Sequence, residues 1–289
     1  MHVTHLGLRS PLIGLLLAAL GVAGLAGCGE DFLNPSGKTL IEGTVHFDRG
    51  VDPDQAPIFG LGIGILYRIE NAAPRPAVLP AAATGVTLGD PYPNPLTSPD
   101  ARSATIIVDA EAASAARVEI WSTGDPFSRA VACLEGDSLA AGRNTFSWNG
   151  TEAGIADRLP NGRYLVRVTL DGEGAVLEKA LILNRPVVEA IATGAFNTVS
   201  DDLGFYRIQD IAVGETFTAT DNAGAVLGPR VLANRVILFT SDIDFRHFES
   251  EVRIAPGERQ RVDIPLLPNV VARPEVLVRV PRTGLGGRS

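Results

Sequence analysis

The sequence predicts an all-β protein of two β-sandwich domains, one inserted into the other, behind a cleaved N-terminal signal peptide. Three observations lead there. Short runs alternate apolar and polar residues with a period of two, the mark of half-buried strands. Clusters of Gly, Pro, Asn and Asp separate the runs, in a chain with 31 glycines and 20 prolines. Hydrophobic content is 45% of 289 residues, enough for one large or two ordinary packed domains.

The first element is an export segment. Arg9 is followed by an uncharged apolar run from Leu12 to Leu25, shorter than the roughly 20 residues of a spanning helix. The run ends in Leu25-Ala26-Gly27-Cys28, which resembles the bacterial lipobox. That resemblance implies a signal peptide over residues 1–27, cleavage between Gly27 and Cys28, and lipid attachment at Cys28. Several acyl chains anchor a protein firmly where one alone is marginal. Gly29 stands where aspartate would retain a lipoprotein at the inner membrane, so the resemblance implies the outer membrane or cell surface. Loss of Arg9 takes 25 cations to 24 against 33 acids, a formal charge of −9. A chain this acidic has no general attraction for nucleic acid. With Cys28 acylated, Cys133 has no partner for an intramolecular disulfide. It sits in the apolar run Ala130-Val131-Ala132-Cys133-Leu134 and is expected to be a small buried hydrophobe.

Residues 28–38 read as a lipidated tether. Leu40 to Phe47 alternates as a strand, with Ile41, Gly43, Val45 and Phe47 on one face and Glu42, Thr44 and His46 on the other. After an aspartate-containing turn, Ile58 to Tyr67 forms a second apolar run, and residues 71–84, rich in Ala and Pro, read as a linker.

Residues 85–184 form the next unit. It opens with Pro91-Tyr92-Pro93-Asn94-Pro95. Strand-like runs follow at Thr105–Val108, Arg117–Trp121, Arg129–Leu134, Asn144–Trp148, Tyr164–Leu170 and Val176–Leu183. Val118 and Ile120 should point inward, and Phe146 and Trp148 should share a face. Trp148-Asn149-Gly150 and Asn161-Gly162-Arg163-Tyr164 supply turns. These positions resemble the Ig-like domain of the flagellar hook-capping protein FlgD, and the Tyr-Pro-Asn-Pro opening is similar to type IX secretion sorting domains. Asn149 stands where that family more often has aspartate. The resemblance implies the sandwich; it transfers no activity.

Beyond it, Ser200-Asp201-Asp202-Leu203-Gly204-Phe205-Tyr206-Arg207-Ile208 and Val213-Gly214-Glu215-Thr216-Phe217 lead to strands at Val231–Thr240, Glu251–Ile254 and Gln260–Leu266. This pattern resembles the carboxypeptidase regulatory-like domain, a transthyretin-like sandwich, with Asp202-Leu203-Gly204 as its hairpin turn and Tyr206 and Ile208 inward. The first two strands of that family match residues 39–70 here. The expected arrangement is therefore a discontinuous transthyretin-like domain, residues 39–70 and 185–270, with the Ig-like unit between. A plain row of domains is the alternative, and pairing of Leu40–Phe47 with strands after Asn197 distinguishes them. Residues 271–289 are expected to be a loose tail.

Candidate chemistry is sparse. Beyond the signal peptide the histidines are His46 and His247, neither at metal-ligand spacing, and no nucleotide or nucleophile motif occurs. Asp48, Asp52 and Asp54, and Asp242 with Asp244, could supply oxygen ligands but read first as turn acids. Trp121, Tyr67 and Tyr206 are the candidates for sugar stacking. No catalytic residue, metal ligand or cofactor is expected. The sequence points to a monomeric, non-enzymatic lipoprotein, anchored to the membrane by its lipid and binding an envelope protein or forming part of an assembly. A carbohydrate-binding accessory protein is the alternative, and an enzyme with scattered carboxylates comes third.

Overall fold

The computed structural model describes residues 38–48, 57–73, 85–97, 103–123, 128–153, 158–171, 175–242 and 244–269. Two strands come first, β1 (Leu40–Phe47) and β2 (Gly62–Asn71). The middle of the chain holds β3 (Val86–Leu88), β4 (Ala104–Ala110), β5 (Ser114–Ser122) and β6 (Arg129–Glu135). It continues with β7 (Ser138–Leu139), β8 (Gly142–Trp148), β9 (Gly162–Leu170) and β10 (Val176–Leu183). A short helix, α1 (Val187–Thr193), precedes β11 (Thr198–Val199), β12 (Phe205–Ile208) and β13 (Thr216–Thr220). The chain closes with β14 (Val226–Thr240), β15 (Phe248–Arg253), β16 (Arg259–Arg261) and β17 (Ile264–Leu266).

The fold is all-β, and its strands sort into two sandwiches. In the first, β1 pairs antiparallel with β12 and parallel with β16 and then β17. The facing sheet runs β11-β2-β14-β13, with β15 also on β14. Ile41, Val45, Ile63, Ile65, Tyr206, Leu232, Leu238 and Ile264 fill the space between them. In the second, β10-β9-β5-β6 with β7 faces β3-β4-β8. Its core holds Ile106, Val118, Ile120, Val166, Val168 and Trp148, with Tyr164 against the Trp148 ring at 5.2 Å. Among the described residues, strands β1 and β2 thus pair only with strands that follow β10, and β3–β10 form a sandwich of their own between them.

Alternation explains most of the burial. β4 and β9 bury every second residue, as their sequences predict. Glu42 departs from the expected polar face of β1. Its side chain is buried, because Arg207 on β12 and Arg259 on β16 reach it from both sides. One carboxylate therefore ties three adjacent strands together.

Two glycines in β2 create a feature the alternation does not show. A Cβ at Gly62 would overlap the Phe196 ring, and one at Gly64 would overlap Phe239. The space they leave takes those rings, and α1 lays Val187 and Ala190 over Phe239 as a small outer core. The α1 segment is rich in β-branched residues and carries little helical signal, so packing holds it. It stops at Gly194, whose φ is 67°.

The turn at Asp201–Gly204 corrects the expected hairpin, because it joins β11 in one sheet to β12 in the other. The Asp201 carboxylate accepts from the N–H groups of Leu203 and Phe205. Asp221 does the same for Ala223 and Ala225. Both are Asp-x-x-Gly loops, with the glycine at positive φ.

Candidate functional site: the junction of the two sandwiches

The Pro91–Leu96 stretch pairs in turn with three strands from different parts of the chain. Tyr92 bridges Thr105, Asn94 bridges Thr220 and Leu96 bridges Leu183. The Tyr92–Pro93 and Asn94–Pro95 peptide bonds are cis. Asn94 is buried and reaches both sandwiches. Its Oδ1 accepts from Ile182 N at 3.0 Å, while its Nδ2 donates to Ala180 O at 2.9 Å and to Thr218 O at 3.0 Å. Thr220 adds a hydroxyl bond to Pro91 O, at 2.7 Å. Strand β10 is the shared wall: Leu181 and Leu183 enter one core and Ile182 the other.

Where β10 ends, the chain returns through a second group of amides. Asn184 accepts from Tyr67 N at 2.8 Å and donates to Tyr67 O at 3.1 Å, so its side chain stands in for a strand residue beside β2. Asn161, 2% exposed, donates to Ile65 O and Arg185 O and accepts from Arg185 N. Asn197 accepts from Ile65 N and donates to Asn161 O. Arg185, also buried, donates to Leu159 O at 2.6 Å and Gly150 O at 3.0 Å, with Glu189 3.8 Å from its Nε. Burial and then the neighbouring Arg158 pull the Arg185 pKa below its ordinary value, against Glu189 and Tyr164. Carbonyl acceptors make that burial tolerable.

A cavity of about 220 Å³ lies beside this network, walled by Tyr67, Arg129, Asn161, Arg163, Ile208 and Asp210 among others. Arg163 Nε is 2.7 Å from Glu215 Oε2 across the junction. That N–H is nonetheless buried without a hydrogen bond, so the contact supplies charge attraction without direction. Arg129 pairs with Glu152, and Lys38 with Asp210 at 2.6 Å. Tyr67 accepts from Ala212 N, and burial holds its hydroxyl well above the ordinary phenol pKa. The cavity wall mixes polar and apolar side chains, and its arginines, Asp210 and Tyr67 are engaged by neighbouring groups of the fold.

The predicted site residues are scattered. Gly27 and Cys28, with Asp52 and Asp54, lie outside the described residues. Cys133 is exposed, which corrects the expected burial. It pairs with Glu119 on the outer face of β6, and the register shifts that leave Leu134 and Val131 of β6 without a partner on β5 break the alternation, so that Val131 and Ala132 are both buried. His46 is half-buried and bridges Pro57, and His247 contacts Glu249 at 2.7 Å. Asp242 accepts from Asp244 N as a turn residue. Trp121 has Arg167 4.1 Å over its ring, and Tyr67 and Tyr206 are buried. Among the described residues no group of three or more His, Cys, Asp or Glu could hold a metal ion, and no helix is long and apolar enough to cross a membrane. Asn94, Asn161, Asn184, Asn197 and Arg185 as joining groups were not foreseen. The one available signal was asparagine beside apolar strand ends, which reads more readily as a turn.

No protein family, curated protein or solved structure matches the chain at a significant level.

Proposed function

We propose that this chain is a non-enzymatic lipoprotein, held through Cys28 at the outer membrane or cell surface, whose joined sandwiches serve protein binding or structural assembly. The observation that carries the reading is the junction. Its buried amides and Arg185 direct their hydrogen bonds to backbone groups of the fold itself, which suits a display element of fixed shape. An active site would instead aim unspent polar groups at a reacting atom. The Leu25-Ala26-Gly27-Cys28 stretch supports the anchor. A polypeptide partner is favoured over a glycan, because sugar stacking needs open aromatic faces and the candidate rings are buried or covered by Arg167.

Two measurements test this. Cys28→Ala is expected to abolish incorporation of radiolabelled lipid, and undiminished incorporation would refute the anchor. Crosslinking in intact envelopes followed by purification of the chain should recover a discrete polypeptide. Recovery of glycan in its place would move the reading to a carbohydrate-binding accessory protein.

A further inference from the structure

The chain contains two Asn-Gly steps, Asn149-Gly150 and Asn161-Gly162, and the fold treats them in opposite ways. At such a step the glycine nitrogen, unhindered by a following Cβ, can attack the asparagine Cγ. An N–C bond forms, the Cγ–Nδ2 bond breaks and ammonia leaves with the proton of the N–H. Water then opens the succinimide to aspartate or isoaspartate, with no oxidant or reductant involved. Asn161 is closed to this. Its Nδ2 donates twice and its Oδ1 accepts from Arg185 N, and Gly162 lies in β9 opposite Leu183.

Asn149 is exposed, and neither its Nδ2 nor Gly150 N has a hydrogen-bond partner among the described residues. Its Oδ1 accepts from Thr151 N at 3.2 Å and from the Thr151 hydroxyl at 2.6 Å. Two donors on that oxygen polarise the carbonyl and stabilise the negative charge that builds there during attack. The product also fits. A carboxylate at 149 would keep both Thr151 donors and sit near Arg158, which donates to Asn149 O, and Arg185, which donates to Gly150 O.

We propose that Asn149 is a self-modification site, where Thr151-assisted deamidation converts the Asn149-Gly150 step to an acidic residue while Asn161 stays intact. The reaction adds one negative charge beside the arginines of the junction. The test is peptide mass spectrometry on the purified full chain held in warm, mildly alkaline buffer, with a urea-unfolded sample as reference. Conversion in the folded chain is expected only at Asn149, and at both asparagines in urea. Thr151→Val should slow conversion about tenfold, the rate equivalent of one hydrogen bond to the reacting carbonyl, and Thr151→Ser should retain it. Trp148 donates to Thr151 O, so its emission, read in a Trp121→Phe background, verifies that the loop is intact in each variant. The proposal is overturned if folded Asn161 converts as fast as Asn149, if Asn149 stays intact while the urea sample converts, or if Thr151→Val is not slower.

Discussion

Four asparagines do at the junction what hydrophobic residues do elsewhere in the chain. Each carries a donor and an acceptor on one short side chain, so each can close a gap between strand ends that do not meet in register. Removing one leaves its partners buried and unmatched. Asn161→Ala strips Arg185 N–H of its acceptor and two carbonyls of a donor. The expected loss is at least about 3 kcal/mol in urea unfolding, given roughly 1–3 kcal/mol for each of the three groups left unsatisfied. A second residue-scale expectation concerns Cys133, which should react with a thiol reagent in the native protein as fast as in urea. Marked protection would place it inside after all. Its exposure was not legible in the sequence, because an apolar run gives no warning of the bulges it will itself carry. The inward places of Val118, Ile120, Trp148 and Tyr206 were legible, since each follows from alternation and size.

At the scale of elements, the runs read from the sequence became strands, with ends moved by a few residues. Local pattern suffices where a strand buries one face. It failed for α1, whose helix exists because β2 offers two glycines and Phe239 needs a cover. Such a reason is tertiary: the two glycines lie more than a hundred residues before α1 and Phe239 lies well beyond it in the chain. Gly64→Ala is therefore expected to cost about 1–3 kcal/mol, the usual penalty for overpacking. Hydrogen exchange should show α1 losing protection first, and an unchanged exchange pattern would contradict the role given to Gly64. The joining amides were illegible for a related reason: asparagine at a strand end favours a turn, and only the second sandwich shows that these ones bridge.

The two sandwiches, sharing β10 and the amide network, should unfold as one. Both tryptophans, Trp121 and Trp148, belong to the β3–β10 sandwich, so their emission reports that unit while far-ultraviolet dichroism reports the whole. Coincident denaturation curves are expected, and two separated midpoints would show independent units. The same titration has a predictable pH dependence. Burial raises the pKa of Tyr67, Tyr164 and Tyr206 above the ordinary phenol value. The unfolded chain therefore loses these protons first, near pH ~10, and the native state holds more protons above that point. Stability from these groups is intact below about pH 10 and falls as pH rises toward the folded-state values. A midpoint steady through about pH 9 and falling beyond about pH 10 is expected.

The ties made by Glu42 have a meaning for synthesis as well as for stability. Its partner Arg259 lies 217 residues further along the chain. A chain that emerges N-terminus first, from the ribosome or from an export channel, delivers β1 well before the strands that flank it. During that interval the β3–β10 unit can complete its own sheets, while β1 and β2 wait with apolar faces uncovered. The nascent chain thus carries its aggregation risk at the front, and a holdase that binds Leu40–Phe47 would act when the hazard is greatest.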